Sequence, residues 1–126
     1  MHYKPDGYNS ASPYLLVPDA AALLRFLEAV FSAQPLRRID GEGGRIRHAE
    51  VRIDDTVVML ADALPDWPAV PSNIHVYVSD VDATYARAIA AGGISVQAPM
   101  QKGDEDKRGG VSDMGGNTWW IATQVG

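Results

Sequence analysis

Of the three histidines in this chain, His48 and His75 lie inside stretches that alternate polar and apolar residues, and His48 is two residues from Glu50. In Arg45–Ile53 the polar Arg47, Glu50 and Arg52 interleave with Ala49, Val51 and Ile53, the pattern of a half-buried strand. Strand side chains repeat on a face every second residue, which puts His48 and Glu50 on one face. A carboxylate beside imidazoles in a partly dry site can serve as a general base, because burial raises its pKa and its charge favours protonated histidine. Imidazole and carboxylate can also hold a metal ion. A blander role for both histidines is that of hydrogen-bonded sheet residues, with Glu50 paired to Arg52 or Arg47. No cysteine occurs in the chain, which excludes disulfides, thiolate catalysis and Cys-rich zinc sites.

The scaffold must be a small globular one. The sequence has 126 residues, 46% apolar and 21% charged, with eight prolines and twelve glycines, the size of a single domain and a composition suited to many short connections. The net charge of -5 comes with no basic stripe, so neither nucleic acid nor an anionic membrane is an expected partner. No apolar run approaches the roughly 20 residues of a spanning helix. The start, Met1-His2-Tyr3-Lys4-Pro5-Asp6-Gly7, has no apolar signal region, and a cytoplasmic location is expected.

Ser12–Val17 reads as a strand, followed by Pro18 and a helix N-cap at Asp19. Leu23, Leu27, Val30 and Phe31 then recur at helical spacing before Ser32-Ala33-Gln34-Pro35. A short strand is expected near Leu36–Ile39. Asp54-Asp55 is read as a two-residue hairpin turn from Arg45–Ile53 into Thr56–Ala61. The segment 62–72 carries Pro65, Pro68 and Pro71 and reads as a linker. The pattern then restarts with strand Asn73–Val78, N-cap Asp80 and a helix bearing Val81, Tyr85, Ala88 and Ile89, ended by Gly92-Gly93. Ile94–Gln97 reads as a strand, Asp104–Arg108 as a solvated polar loop, and Thr118–Thr123 as a final strand after a hairpin at Gly115-Gly116.

One constant offset superposes the halves: Val17 falls on Val78, Asp19 on Asp80, Asp55 on Gly116 and Met59 on Trp120. Such a repeat constrains the whole architecture. The expected fold class is α+β, a single domain over 1–126 with unit one at about 9–62, a Pro-rich linker at 63–72 and unit two at about 73–124.

A duplicated β-α-β-β-β unit resembles the glyoxalase / bleomycin-resistance / dioxygenase (vicinal oxygen chelate) superfamily, in which two units form a curved mixed sheet around a small-molecule cavity. The closest resemblance is to a glyoxalase-like branch labelled after a phosphonate-utilisation operon or a demethylubiquinone methyltransferase. It rests on Gly7-Tyr8-Asn9-Ser10 with Pro13-Tyr14-Leu15, Arg45-Ile46-Arg47-His48-Ala49-Glu50, Met59-Leu60-Ala61-Asp62, His75 to Ala83, and Trp119-Trp120-Ile121-Ala122-Thr123. Asn117 and Met114 depart from it, standing where the branch tends to carry His and Pro.

Metal-dependent members hold their ion with four His, Glu or Gln side chains, and the resemblance puts those positions at Ser12, Met59, Asn73 and Trp120. None is a good ligand for zinc, nickel, iron or manganese, so no metal or other cofactor is expected there. The resemblance turns Met59 into the cavity; His48, Glu50 and Arg52 then follow by hairpin pairing. The same period sends His75 and Tyr77 inward. The expected site is His48, Glu50 and His75 as polar, catalytic groups, with Tyr14, Met59, Tyr77 and Trp120 as walls and Arg108 reaching in from a mobile loop. Of Trp119 and Trp120, one is expected in the core and one in the cavity.

Four functions are compatible with this. One is a metal-independent small-molecule binder like the bleomycin-resistance proteins. Another is a lyase or isomerase acting beside a carbonyl with Glu50 as base and His48 or His75 as electrophile. A third is a metal-dependent glyoxalase or dioxygenase with a relocated His48/Glu50/His75 centre. The last is a purely structural dimer module. A two-fold homodimer is expected in any case, because each unit has exposed sheet edges.

Overall fold

A computed structural model of the chain describes residues 3–126. Unit one runs β1 (Tyr14–Val17), α1 (Ala20–Phe31), β2 (Gln34–Asp40), β3 (Ile46–Ile53) and β4 (Thr56–Asp62). Unit two repeats it as β5 (Asn73–Tyr77), α2 (Val81–Ala90), β6 (Ile94–Gln101), β7 (Asp106–Ser112) and β8 (Thr118–Gln124). Each unit is a four-stranded mixed sheet, in the orders β1-β4-β3-β2 and β5-β8-β7-β6. The first strand of each runs parallel to the last, and the other pairs are antiparallel. The fold is the expected α+β tandem of βαβββ units.

Both helices start where an aspartate can satisfy orphan amides. Asp19 accepts from the Ala22 amide at 3.0 Å and Asp80 from the Ala83 amide at 3.1 Å. A second carboxylate ties unit one together: Asp62 at the end of β4 accepts from the Ala20 amide opening α1 and from the Ile46 amide opening β3, both at 2.7 Å.

Alternation along the strands sorts the two faces. Leu15, Val17, Ala49, Val51, Ile53, Val58 and Leu60 are buried against Leu23, Phe26, Leu27 and Val30 of α1, while the opposite face of each sheet, here the free face, is turned away from the helices. The helices contact their own sheets and each other. Core residues of both units form one cluster, with the Phe31 ring 5.5 Å from that of the fully buried Trp119. At Gly93 a Cβ would lie 2.3 Å from Val111 Cγ1, 2.8 Å from the Ala88 carbonyl oxygen and 3.3 Å from the Phe26 ring, so this close packing needs a glycine there.

Two expectations need correction. The strand at Ile94 extends to Gln101, and Asp106, Lys107 and Arg108 open strand β7 rather than a solvated loop. The cause is pairing on both sides: β7 lies between β6 and β8, with Met100 facing Arg108 and Ala122 facing it from the other side. Neighbouring strands thus override a polar, glycine-rich sequence of weak β propensity. Arg108 is therefore fixed on a central strand and is not a mobile lid residue. Asp106, expected in solvent, is 7% exposed.

Candidate functional site

The β3–β4 hairpin fixes the site of unit one. Asp54 adopts a left-handed backbone (φ 52°), and Ile53 pairs with Thr56, Arg52 with Val57 and Glu50 with Met59. That register puts Glu50 on the free face with Met59, and Ala49, Val51 and Ile53 under the helix. On β2, Arg37 pairs with Glu50. The segment before β1 lies across this face: Asn9 accepts from the Val57 amide at 2.9 Å, and Arg52 donates to the Gly7 carbonyl at 3.2 Å.

A hydrogen-bonded chain of four side chains results. The Tyr8 hydroxyl donates to one Glu50 oxygen; the other is 2.7 Å from His48 Nε2; and His48 Nδ1 is 3.1 Å from the Tyr14 hydroxyl. A carboxylate only accepts, so His48 Nε2 carries a proton toward Glu50 and, in the neutral ring, Nδ1 accepts from Tyr14. Glu50 is 5% exposed. Burial pushes its pKa up, but hydrogen bonds from His48 and Tyr8, with the positive charge of Arg37, outweigh it and hold the carboxyl below 4.5. The same bond to Glu50, with burial and the carboxylate charge, raises the Tyr8 phenol above 10.0. The open end of the chain is Tyr14, whose ring lies between His48 (centroids 5.5 Å apart) and Trp67 of the linker (5.7 Å).

Unit two builds a separate cluster. Tyr77 donates to Asp106 Oδ2 at 2.6 Å, and Arg108 donates to the same oxygen at 2.8 Å, to Asp104 at 3.3 Å and to His75 Nε2 at 3.1 Å. The His75 and Tyr77 rings meet edge-on at 4.8 Å. Partial burial and the Arg108 charge hold the His75 pKa below 6.5, against the opposing charges of Asp106 and Asp104. Trp120 donates to Asn73 Oδ1 at 3.0 Å, while Trp119 is buried and donates to Asp113 at 2.8 Å. Trp119 lies in the core and Trp120 on the free face.

The repeat makes the clusters comparable. Met59 and Trp120 are equivalent, their partners Glu50 and Gly110 are equivalent, and so are His48 and Arg108 two residues before them. Tyr14 corresponds to His75, and both bond to the side chain two strands away.

The structure brings His48, Glu50 and Tyr14 together and His75, Tyr77 and Arg108 together, with no hydrogen bond or ring contact joining the sets among the described residues. Tyr14 and His48 line a hollow of about 450 Å³, and His75 and Tyr77 line a groove of about 300 Å³ with Pro13 and Thr56. No group of three His, Cys, Asp or Glu side chains is placed to hold a metal among the described residues. A relocated His48/Glu50/His75 centre is therefore not formed within the chain, because β5 belongs to the other sheet. Ser12, Met59, Asn73 and Trp120 do not fit a metal either, and the Asn73 oxygen is engaged by Trp120. Sequence reasoning gave no role to Tyr8, Asp106 or Trp67. Only Asp106 had a signal, its parity with Arg108.

The likenesses to known proteins agree with this fold. An uncharacterized protein of Mycobacterium bovis is 35% identical over 125 residues, covering 90% of this chain and 82% of its own. TioX from Micromonospora sp. ML1 superposes with a TM-score of 0.75 at 25% identity, over 91% of this chain and 99% of its own. TnmS3, an antibiotic binding protein from Streptomyces sp. CB03234, gives 0.68 at 22% identity, over 92% and 97%. The family model of the Glyoxalase/Bleomycin resistance protein/Dioxygenase superfamily matches residues 8–121, and with its two βαβββ units the chain belongs to that superfamily.

Proposed function

We propose that the protein is a metal-independent small-molecule binder whose ligand is held by the free faces of the two sheets. The observation that carries this reading is the combination of aromatic rings left open to solvent, Tyr14 and Tyr77 at 40% and 59% exposure, with polar side chains already locked by hydrogen bonds behind them. Rings at the surface backed by fixed polar groups are the composition of a ligand site. The donor set at Ser12, Met59, Asn73 and Trp120 supports metal independence, and antibiotic binding by TnmS3 is a precedent on the same fold. Within this reading Tyr14, Met59, Tyr77 and Trp120 are walls, and His48, Glu50, His75 and Arg108 are the polar groups. Two free faces turned away from one helical layer can enclose a ligand when unit one of one chain faces unit two of a second, and this supports a two-fold homodimer as the active species.

Native mass spectrometry of the purified protein tests the reading. A dimer carrying a non-covalent small molecule, lost from a Glu50→Gln variant that still folds and dimerises, is the expected result. A dimer whose paired faces are filled by its own side chains overturns it.

A second reading, an enzyme acting beside a carbonyl, is favoured by the Glu50–His48–Tyr14 chain. With Glu50 buried, the group that meets a substrate is the Tyr14 hydroxyl, with His48 receiving its proton and Glu50 holding the imidazole in place. Turnover abolished by Tyr14→Phe with ligand affinity retained is the outcome that selects it.

A further inference from the structure

Beside the Tyr14–His48 pair lies a hollow built from parts the chain repeat does not explain. Leu64 and Trp67 exchange backbone hydrogen bonds of 2.9 and 3.0 Å, closing Pro65-Asp66 into a tight turn. The turn sets the Trp67 indole, half exposed, 5.7 Å from the Tyr14 ring at an interplanar angle of 31°. A tryptophan fixed by a backbone turn against a second ring, and outside the core cluster, is a wall with one side open.

Across the hollow stand Arg45 and Arg47, at the entry to β3. The chain has a net charge of -5 and sixteen acidic residues, yet neither guanidinium makes a hydrogen bond or ion pair with any described residue. Arg45 Nε is buried and has no partner, a costly state for a charged donor. The Arg45 guanidinium lies over bare backbone at Gly41, where a Cβ would fall 2.9 Å from Nη1. No carboxylate lines the hollow; its remaining lining, Ile39 and Leu64, is apolar.

We propose that this hollow is the subsite for a planar aromatic group bearing an anion, such as an aryl carboxylate, the ring stacking on Trp67 and Tyr14 and the anion meeting Arg45 and Arg47. The volume of about 450 Å³ accommodates a two-ring system. A phosphate or simple carboxylate uses the arginines and leaves both rings idle; a neutral arene does the reverse. Only an aromatic anion engages both walls, and a charge-assisted bond to guanidinium is among the stronger polar contacts available. This rests on the free face of unit one being a ligand site and names the chemistry it selects.

The test uses 2-naphthoate, its neutral analogue 2-naphthylmethanol and cyclohexanecarboxylate, titrated by calorimetry and by the three tryptophan indole resonances, with Trp67 assigned from Trp67→Phe. Naphthoate is expected to shift the Trp67 resonance and to bind at least about tenfold tighter than either probe. Arg45→Gln and the more exposed Arg47→Gln are expected to erase the advantage over the alcohol while leaving binding of the alcohol unchanged. Trp67→Ala is expected to weaken naphthoate and alcohol alike. Equal binding of acid and alcohol, naphthoate affinity unchanged in both arginine variants, or an unmoved Trp67 resonance overturns the proposal. A response at Trp120 with none at Trp67 refutes this subsite and leaves the general binding reading standing; a dimer with self-filled faces refutes both.

Discussion

Gly110 lies beneath the Trp120 ring across the β7–β8 pair, and a Cβ at Gly110 would stand 2.6 Å from Trp120 Cζ3 and 2.9 Å from Cε3. The indole is thereby laid on bare backbone and donates to Asn73. Gly110→Ala is expected to lift the ring, break that bond and destabilise the fold by about 1–3 kcal/mol through overpacking. Denaturant titration with tryptophan emission checks it; an unshifted spectrum and midpoint would contradict the contact.

Asp113 is a buried carboxylate that accepts from the amides of Gly115 and Asn117, the Asn117 side chain and the Trp119 indole. Asp113→Ala strands these donors in the core, each at about 1–3 kcal/mol if left unsatisfied, and a loss of at least about 3 kcal/mol is expected by urea unfolding. Asp113→Asn, which keeps one acceptor oxygen, should recover part of it.

Acid should weaken the fold in two stages. His75 has a folded pKa below its ordinary 6.5 and Glu50 one below 4.5, so in both cases the unfolded chain binds the proton first and stability rises with pH across the window. Stability is expected to be full above pH 6.5, to fall slightly below it as unfolded His75 protonates, and to fall further below 4.5 as Glu50 follows. His75→Gln should flatten only the upper stage; a pH profile identical to wild type would refute the assignment.

For assembly, light scattering at micromolar concentration is expected to give twice the chain mass. Tyr77→Asp, which places a charge on the free face of unit two, should shift the population toward monomer; a wild-type monomer at that concentration would count against pairing.

For metals, the expectation is that a chelator leaves melting temperature and ligand affinity unchanged, and that added zinc, nickel or manganese raises neither. A stoichiometric ion lost on replacing Asn73 and Met59 would reverse this.

Much of the fold was legible because local chemistry and the repeat agree. Asp19 and Asp80 mark helix starts, Asp54-Asp55 sets the register that turns Glu50 toward Met59, and the offset that superposes Met59 on Trp120 divides the paired tryptophans between faces. Strand β7 was hidden because its polar, glycine-rich sequence has weak β propensity, and only its pairing with β6 on one side and β8 on the other makes it a strand. Tyr8 and Trp67 were equally invisible: each sits in an irregular segment whose contact, to Glu50 or Tyr14, spans more than 40 residues of chain.

The repeat also has a directional consequence. Two units with identical free faces would offer a guest the same surroundings either way round. Here the equivalent positions have diverged, phenol against imidazole at Tyr14 and His75, imidazole against guanidinium at His48 and Arg108, carboxylate against bare backbone at Glu50 and Gly110. A molecule bridging such faces would meet different chemistry at its two ends, although the two units share one strand order.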